Sequence, residues 1–269
     1  MNPILLDLGF IKIYWYSFFI FIALLVGIEL CLHEAKKHNI SKDYLINMFF
    51  WMFPIVLIGA RLYFVLFHLD YYSQNPIEIF YVWEGGLAIH GGMIAGFIWL
   101  VYYSRKHNVP IIKEMDMIAV SLLLGQAIGR WGNFMNQEAY GPATTLSFLQ
   151  ELHLPQFIID GMNIDGVYYQ PTFLYESIWC FLGFIIILCI RKYRKLNVGT
   201  LSSFYLVWYG SERFIVEGLR MDSLMFFGFR QAQIISIIFI LLGICLYVYT
   251  HTKIKIKYYE SEGKNGKKI

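Results

Sequence analysis

Seven long apolar runs punctuate the chain, at about 13–32, 48–68, 87–103, 115–133, 172–190, 199–216 and 232–250, with shorter polar stretches between them. A helix needs roughly 20 predominantly apolar residues to cross the hydrocarbon core of a bilayer, at about 1.5 Å of rise per residue. Each run reaches or nearly reaches that length, the third and sixth being the shortest. The pattern therefore predicts an all-α polytopic membrane protein with about seven transmembrane helices. No linker divides the chain and no internal repeat is evident. Residues 1–252 are expected to form a single transmembrane domain, followed by a basic tail at 253–269.

The polar connections carry a second pattern. Lys36, Lys37 and Lys42 fall after the first run, and Arg105, Lys106 and Lys113 after the third. Arg191, Lys192, Arg194 and Lys195 follow the fifth run, and Lys253, Lys255, Lys257, Lys264, Lys267 and Lys268 follow the seventh. The alternate connections 69–86 and 134–171 contain no Lys or Arg, and 217–231 has only Arg220 and Arg230. Basic residues collect on the cytoplasmic side of membrane proteins. The expected topology has the N-terminus outside and the C-terminus in the cytoplasm, and the alternation fits an odd number of crossings. The basic tail could also touch an anionic membrane surface, although holding topology accounts for it as well. The long outer connection 134–171 is expected to form a small extracytoplasmic cap, with a short helix and a turn near Asp160–Gly161 or Asp165–Gly166.

Composition agrees with lipid as the solvent. Charged residues make up 15% of the chain and hydrophobic ones 58%, whereas soluble domains run near 25% charged. The 20 Tyr and 7 Trp suit a protein with two water–lipid interfaces. A net charge of +3, distributed as topology requires, points to no nucleic-acid partner. Cys31, Cys180, Cys189 and Cys245 lie in or at the ends of apolar runs without a CxxC spacing, so they read as small packing residues and not as a disulfide or zinc framework. Asp7 precedes Lys12, and the first apolar run is longer than a signal-peptide core, so no cleavable signal is expected.

Ionisable groups at membrane depth are costly, commonly a few kcal/mol each, and their positions carry information. In the expected topology Arg61 and His68 sit in the outer half of the second helix, and His90 lies one turn into the third. Arg130, Asn133, Asn136 and Glu138 cluster at the outer end of the fourth. Tyr175 and Glu176 open the fifth, Tyr209, Glu212, Arg213 and Glu217 occupy the outer part of the sixth, and Tyr14, Trp15 and Tyr16 open the first. Glu29 is the main exception, near the cytoplasmic end. A common depth suggests a polar cavity in the outer leaflet. Tyr209, Arg213 and Glu217, at i, i+4 and i+8, share a helix face. An Arg–Glu pair there could simply hold helices together, but three arginines at one depth suit a phosphate, whose oxygens match the guanidinium fork. Gly85, Gly86, Gly91 and Gly92 flank His90 and would let a ligand approach the imidazole, while Gly125 and Gly129 have the spacing of close helix packing.

Two stretches become specific on closer reading. G-R-W-G-N-F-M-N-Q-E-A-Y-G, Gly129 to Gly141, resembles the signature of the prolipoprotein diacylglyceryl transferases, whose pattern G-R-x-x-N-F-x-N-x-E-x-x-G is matched at every fixed position. Trp15–Ser17, GARL at Gly59–Leu62, GGLAIHGG at Gly85–Gly92, QPTFLYES at Gln170–Ser177 and YGSERFIVEGLR at Tyr209–Arg220 resemble further family landmarks, in family order. Gln170 stands where the family often has His, and Ser17 where it often has Gly. The first departure puts in doubt any universal role for that His.

The resemblance implies a bacterial enzyme of the cytoplasmic (inner) membrane, working at its outer face. It would move the diacylglyceryl group of phosphatidylglycerol onto the lipobox cysteine thiol in the signal peptide of a prolipoprotein, leaving a thioether and glycerol phosphate. On that reading Arg130 and Arg213 hold the phosphate, with Asn133 and Asn136 as neutral donors. Glu138 and Glu217 orient the arginines, Tyr16 and Tyr209 line the headgroup, and Gly141 closes the signature. Arg61 is a further substrate-binding position, and His90 is either a general base for the thiol or a headgroup donor. No metal or other cofactor is called for. The competing class is a transporter of a small anionic or lipid substrate with an outer-leaflet site. Such proteins commonly bind at the midplane and show internal repeats, and this chain has an off-centre cluster and no evident repeat.

Overall fold

The computed structural model describes residues 1–9, 12–38, 40–192, 196–219, 225–226 and 229–254. Among them are seven helices of 18 residues or more, and each apolar run lies on one. They are α1 (Trp15–Ala35), α2 (Lys42–Leu66), α3 (Ile89–Lys106), α4 (Ile111–Asn136), α5 (Thr172–Arg191), α6 (Thr200–Glu217) and α7 (Gln231–Tyr249). Four segments are both long and apolar enough to cross a membrane by composition: α1, α2, α5, and α7 with the turn that extends it to Ile254. The other three long helices carry more polar residues, among them Arg130 on α4 and Glu212, Arg213 and Glu217 on α6. The chain is thus a mostly helical membrane protein. Short strands are confined to the connections: the pair Ile4–Asp7 and Lys12–Tyr14, a three-stranded sheet at 143–169, and the pair Met225–Phe226 and Phe229–Arg230. Arg194, Lys195, Arg220 and the tail beyond Ile254 lie outside the described residues.

The chain divides into two compact units, one built from Met1–Cys31 and the described residues from Met115 onward, the other from Leu32–Glu114. In the first, α5, α6 and α7 pack through glycines. A side chain at Gly183 would collide with Trp208, and the Trp179 and Trp208 indoles donate to each other's backbone carbonyls at 3.3 and 3.0 Å. Gly210 and Gly243 leave room for α6 and α7 to cross closely: a Cβ at either would come within 2.9 Å of a carbonyl of the opposite helix. Without a hydrophobic drive between helices in lipid, close packing of this kind is what holds them.

The start of α6 depends on α4. The N-cap residue of α6 is Gly199, in the left-handed region at φ 90°, and it has no side chain with which to cap. Asp116, fully buried on α4, supplies the acceptors instead. Its oxygens take hydrogen bonds from Gly199 N at 2.6 Å, Ser202 N at 2.7 Å and Ser202 Oγ at 2.6 Å. A cap from the helix's own chain is typically worth about 1 kcal/mol. This one also ties two helices together. Asp116 lies at the start of the fourth apolar run, where no spacing in the sequence announces its partner on α6.

The connection 137–171 folds into a small cap with two short helices where one was expected, Leu146–Glu151 and Gln156–Gly161; the side of the membrane it faces is a matter of topology. The turn falls at Asp165–Gly166, both with positive φ (52° and 83°), between strands Asn163–Ile164 and Val167–Tyr169. Asp-Gly in a two-residue hairpin is the composition that such a turn demands. Asp160–Gly161 instead ends the second short helix. Phe134 at the end of α4 stacks on Phe173 at the start of α5, centroids 4.5 Å apart, and both pack with Leu149, Ile158, Ile159 and Met162. The cap therefore has its own apolar core, rooted on two long helices.

In the second unit α2 and α3 cross at glycine. A Cβ at Gly91 would strike the Gly59 carbonyl and Tyr63, one at Gly59 would strike Ala95, and Gly92 and Gly96 both face Val56. Trp99 Nε1 donates to the Met48 carbonyl at 2.9 Å. At the opposite end of these helices Tyr44 Oη and Ser104 Oγ both donate to the buried carboxylate of Glu114.

Candidate active site

The first unit gathers two arginines and three glutamates from α4, α5 and α6. Glu176, one turn into α5, is the centre. Its Oε2 lies 3.0 Å from Arg130 Nε, and its Oε1 is 3.4 Å from Arg213 Nη1. Arg213 Nη2 makes a second ion pair with Glu217 Oε2 at 2.7 Å, one turn along the same helix. The carboxylate side chains are 2–3% exposed and the arginine side chains 17% and 21%. The carboxylates are thus buried, and the two arginine side chains keep partial exposure. Buried Glu212 adds a third carboxylate, whose Oε2 is 3.4 Å from Cys180 Sγ. Among the described residues no donor is within hydrogen-bonding distance of its Oε1.

Local sequence explains why these groups meet. Ser177, next to Glu176, donates to the Ala127 carbonyl at 2.8 Å, which sets α5 against α4 one turn before Arg130. Gln126 donates to Tyr205 Oη at 3.0 Å and ties α4 to α6. The rings of Tyr205 and Tyr209 stack one turn apart, 5.8 Å between centroids. Tyr209 in turn lies one turn before Arg213. Arg230 donates to the backbone carbonyl of Glu217 at the end of α6.

The signature residues that follow Arg130 run into the cap. Asn133 Nδ2 donates to Glu138 Oε1 at 2.8 Å, so this carboxylate holds an asparagine, where the sequence suggested an arginine. Asn136 ends α4 and is exposed. Gly141 donates its N–H to the Gln170 carbonyl at 3.0 Å, and a Cβ there would press on Gln170 and Thr172. Thr172 Oγ1 donates to the Ala139 carbonyl at 2.6 Å. Gly141 and Thr172 therefore lash the end of the signature to the start of α5. Tyr16 of α1 packs on Gly132, where any side chain would clash with its ring. Asn133, Glu138, Tyr140 and Thr172 share the lining of a small pocket with Phe134 and Phe173.

Arg61 and His90 belong to the other unit. Arg61 is buried, and its guanidinium is engaged by backbone. Nε donates to Ile79 O at 2.8 Å, Nη1 to Gly85 O at 2.8 Å and Gly86 O at 3.1 Å, and Nη2 to Glu78 O at 2.5 Å. Its Cζ also lies 5.2 Å from the centroid of the Tyr72 ring. Arg61 is thus a clasp on the 78–86 connection. A Cβ at Gly86 would meet the guanidinium directly. His90 is exposed on the first turn of α3, 6.2 Å between centroids from Tyr63. Of the glycines around it, Gly91 and Gly92 face α2, and Gly86 faces Arg61. These three are explained by packing. Among the described residues no group of three or more His, Cys, Asp or Glu is placed to hold a metal ion.

Comparison with known proteins bears on this geometry. The family model described as prolipoprotein diacylglyceryl transferase matches residues 3–249. The chain belongs to this family. Relatives include a protein of Listeria innocua, 45% identical over 267 residues, covering 99% of this chain and 96% of the relative. One from Staphylococcus xylosus is 46% identical over 264 residues, covering 98% and 94%, and one from Bacillus licheniformis is 46% identical over 254 residues, covering 94% of each. All three bear the name phosphatidylglycerol–prolipoprotein diacylglyceryl transferase, an enzyme's name and not a transporter's.

Within the family frame the signature explains much of the site's construction. Its first Arg reaches the carboxylate of α5, its first Asn meets its own Glu, and its last Gly closes against Gln170. The residue that the sequence reading missed is Glu176 as the hub. Its depth is legible but its role is not, because 46 residues separate it from Arg130 and no helical spacing links them.

The Arg61 clasp has a direct consequence. Arg61→Ala should remove the guanidinium donor from the carbonyls of Ile79, Gly85 and Gly86 and one of two donors from that of Glu78, which also takes the Tyr81 N–H. Hydrogen–deuterium exchange across 76–88 should then accelerate markedly relative to α5. Unchanged exchange would show that the connection holds itself.

Proposed function

We propose that this chain carries out its family's transfer, moving diacylglyceryl from phosphatidylglycerol to the lipobox cysteine of a prolipoprotein in the cytoplasmic membrane. The observation that carries the reading is the Arg130–Glu176–Arg213 arrangement on family-landmark residues, with both arginine side chains partly exposed. The chemistry has two demands. The thiol must lose its proton, since the thiolate is the nucleophile. The bond between phosphate and the diacylglyceryl carbon must break, with the leaving charge held by preorganised donors in a dry site. Sulfur bonds to that carbon, glycerol phosphate departs, and the thiol proton goes to a base or to the leaving phosphate.

Arg130 and Arg213 are assigned to the phosphate. Asn133 and Asn136 supply neutral donors, Glu138 holds Asn133, and Glu217 holds Arg213. Tyr16 and Tyr209 line the headgroup, with Gly141 fixing the signature's end. Arg61 acts through the connection that it clasps. No resident cofactor enters this scheme. Purified protein given phosphatidylglycerol and a lipobox peptide should add one diacylglyceryl mass to the cysteine. Arg130→Lys, which keeps charge but loses the fork, should lower turnover by about 100-fold in folded protein. Near-normal turnover in that variant would mean that charge alone suffices.

The topology is proposed on the alternation of basic connections. All seven long helices cross, the cap at about 134–171 faces outward, and residues 1–252 act as one catalytic domain with the tail from Lys253 in the cytoplasm. A single cysteine placed in 104–114 should resist membrane-impermeant thiol reagents in intact cells, while one in the cap should react. Labelling of the 104–114 cysteine from outside would overturn the map.

His90 has two roles open to it, base for the thiol proton or donor to the headgroup. If it is the base, His90→Gln should cut turnover at about pH 6–7 and regain much of it toward pH ~8.5, where a free thiol ionises unaided. A ratio of variant to wild-type rates that stays flat with pH would make His90 a headgroup donor instead, because glutamine can still donate.

A further inference from the structure

The charges fixed in the site oppose its proposed task. Arg130 and Arg213 are ion-paired to Glu176 and Glu217, and buried Glu212 precedes Arg213 on α6, so carboxylates already occupy the site before any anionic headgroup arrives. If charge alone governed binding, these carboxylates would weaken it. The geometry points to a different use for one of them.

We propose that Glu176 is a positioning residue that joins Arg130 and Arg213 into a single clamp for one phosphate, an inference that rests on the transfer reading above. Each of its oxygens takes a different guanidinium, at 3.0 and 3.4 Å, so one rigid carboxylate fixes the separation and tilt of two forks carried by separate helices. Its side chain is 2% exposed against 17% and 21% for those of the arginines, so the arginines are the more accessible members of the bridge. Glu176 is itself held in place, because Ser177 is bonded to Ala127 and Thr172 to Ala139. Arg130 contacts the carboxylate through Nε, which leaves its terminal nitrogens for a bidentate contact. Without Glu176, Arg130 would lose its ion partner and Arg213 would keep only Glu217, so nothing would tie the two arginines to each other before the phosphate arrives.

The opposite view makes Glu176 a resting anion that phosphate must displace. The two views differ in sign. Inhibition by glycerol phosphate, a product of the transfer, should be measured in wild type, Glu176→Gln and Glu176→Asp. Positioning predicts weaker inhibition in both variants. The expected rise in inhibition constant is roughly tenfold, the change that about 1.4 kcal/mol of lost charge-assisted bonding produces. kcat should fall by about 100-fold from misplacement of the clamp. The penalty of Arg130→Lys should also shrink in the Glu176→Gln background, because the pair is already uncoupled. Tighter inhibition in Glu176→Gln would overturn the proposal in favour of competition. Glu176→Asp serves if the glutamine variant does not fold, since it keeps the charge and withdraws the bridge. Failure of both variants to yield folded protein would make the residue structural and would likewise overturn the proposal. A wild type that transfers no diacylglyceryl group removes the underlying reading, a result separate from the sign of the Glu176 effect.

Discussion

The bridge from Arg130 through Glu176 to Arg213 is the interaction on which the arrangement of the first unit turns. Charge buried in a poorly solvating interior is tolerated when it is paired, and removing one partner of such a pair typically costs 3–5 kcal/mol because the other is left uncompensated. This bridge has members on α4, α5 and α6, so those helices must present their polar faces to one another at one level. Once that level is set, the rest of the packing follows. Ser177 meets Ala127, Gln126 meets Tyr205, and the two tryptophans of α5 and α6 exchange hydrogen bonds. Away from their glycine contacts, α1 and α7 need no such precision. Their most apolar stretches are only 6% and 11% buried, which suits helices with lipid as their main neighbour.

Much of this was legible in the residues. The seven apolar runs mark the long helices to within a few residues, because lipid forbids irregular backbone and demands continuous apolar stretches. Arg130 and Arg213 stood out since charge at that depth needs a reason. What could not be read was partnership. Glu176 is far from both arginines in the chain, and no periodicity announces a contact between three helices. Arg61 shows the same limit from the other side. An arginine that binds phosphate and one that holds backbone carbonyls look identical in sequence, and only its four carbonyl contacts tell which it is.

The glycines around His90 illustrate a related ambiguity. Glycine admits a close neighbour of any kind, and the sequence does not say which. For Gly91 and Gly92 the neighbour is α2, and for Gly86 it is the Arg61 guanidinium. Asp116 was passed over because one acid at the edge of an apolar run resembles a helix terminus near water, whereas it is fully buried and serves a different helix.

That cap on α6 has a mechanical meaning. Asp116 and Arg130 are 14 residues apart on α4, and Ser202 and Arg213 are 11 apart on α6. Those are close to whole numbers of turns, spanning about 21 Å and about 17 Å, so each pair lies near one line along its helix. The two helices are pinned at one end by a carboxylate under backbone amides and at the other by a carboxylate between guanidiniums. Two pins fix phase as well as distance. Side chains between them can vary in shape, but one residue added or lost between 116 and 130 would turn Arg130 by about 100° about its helix. The stretch of α4 between the pins is therefore a ruler: its length in residues is under tighter constraint than its composition.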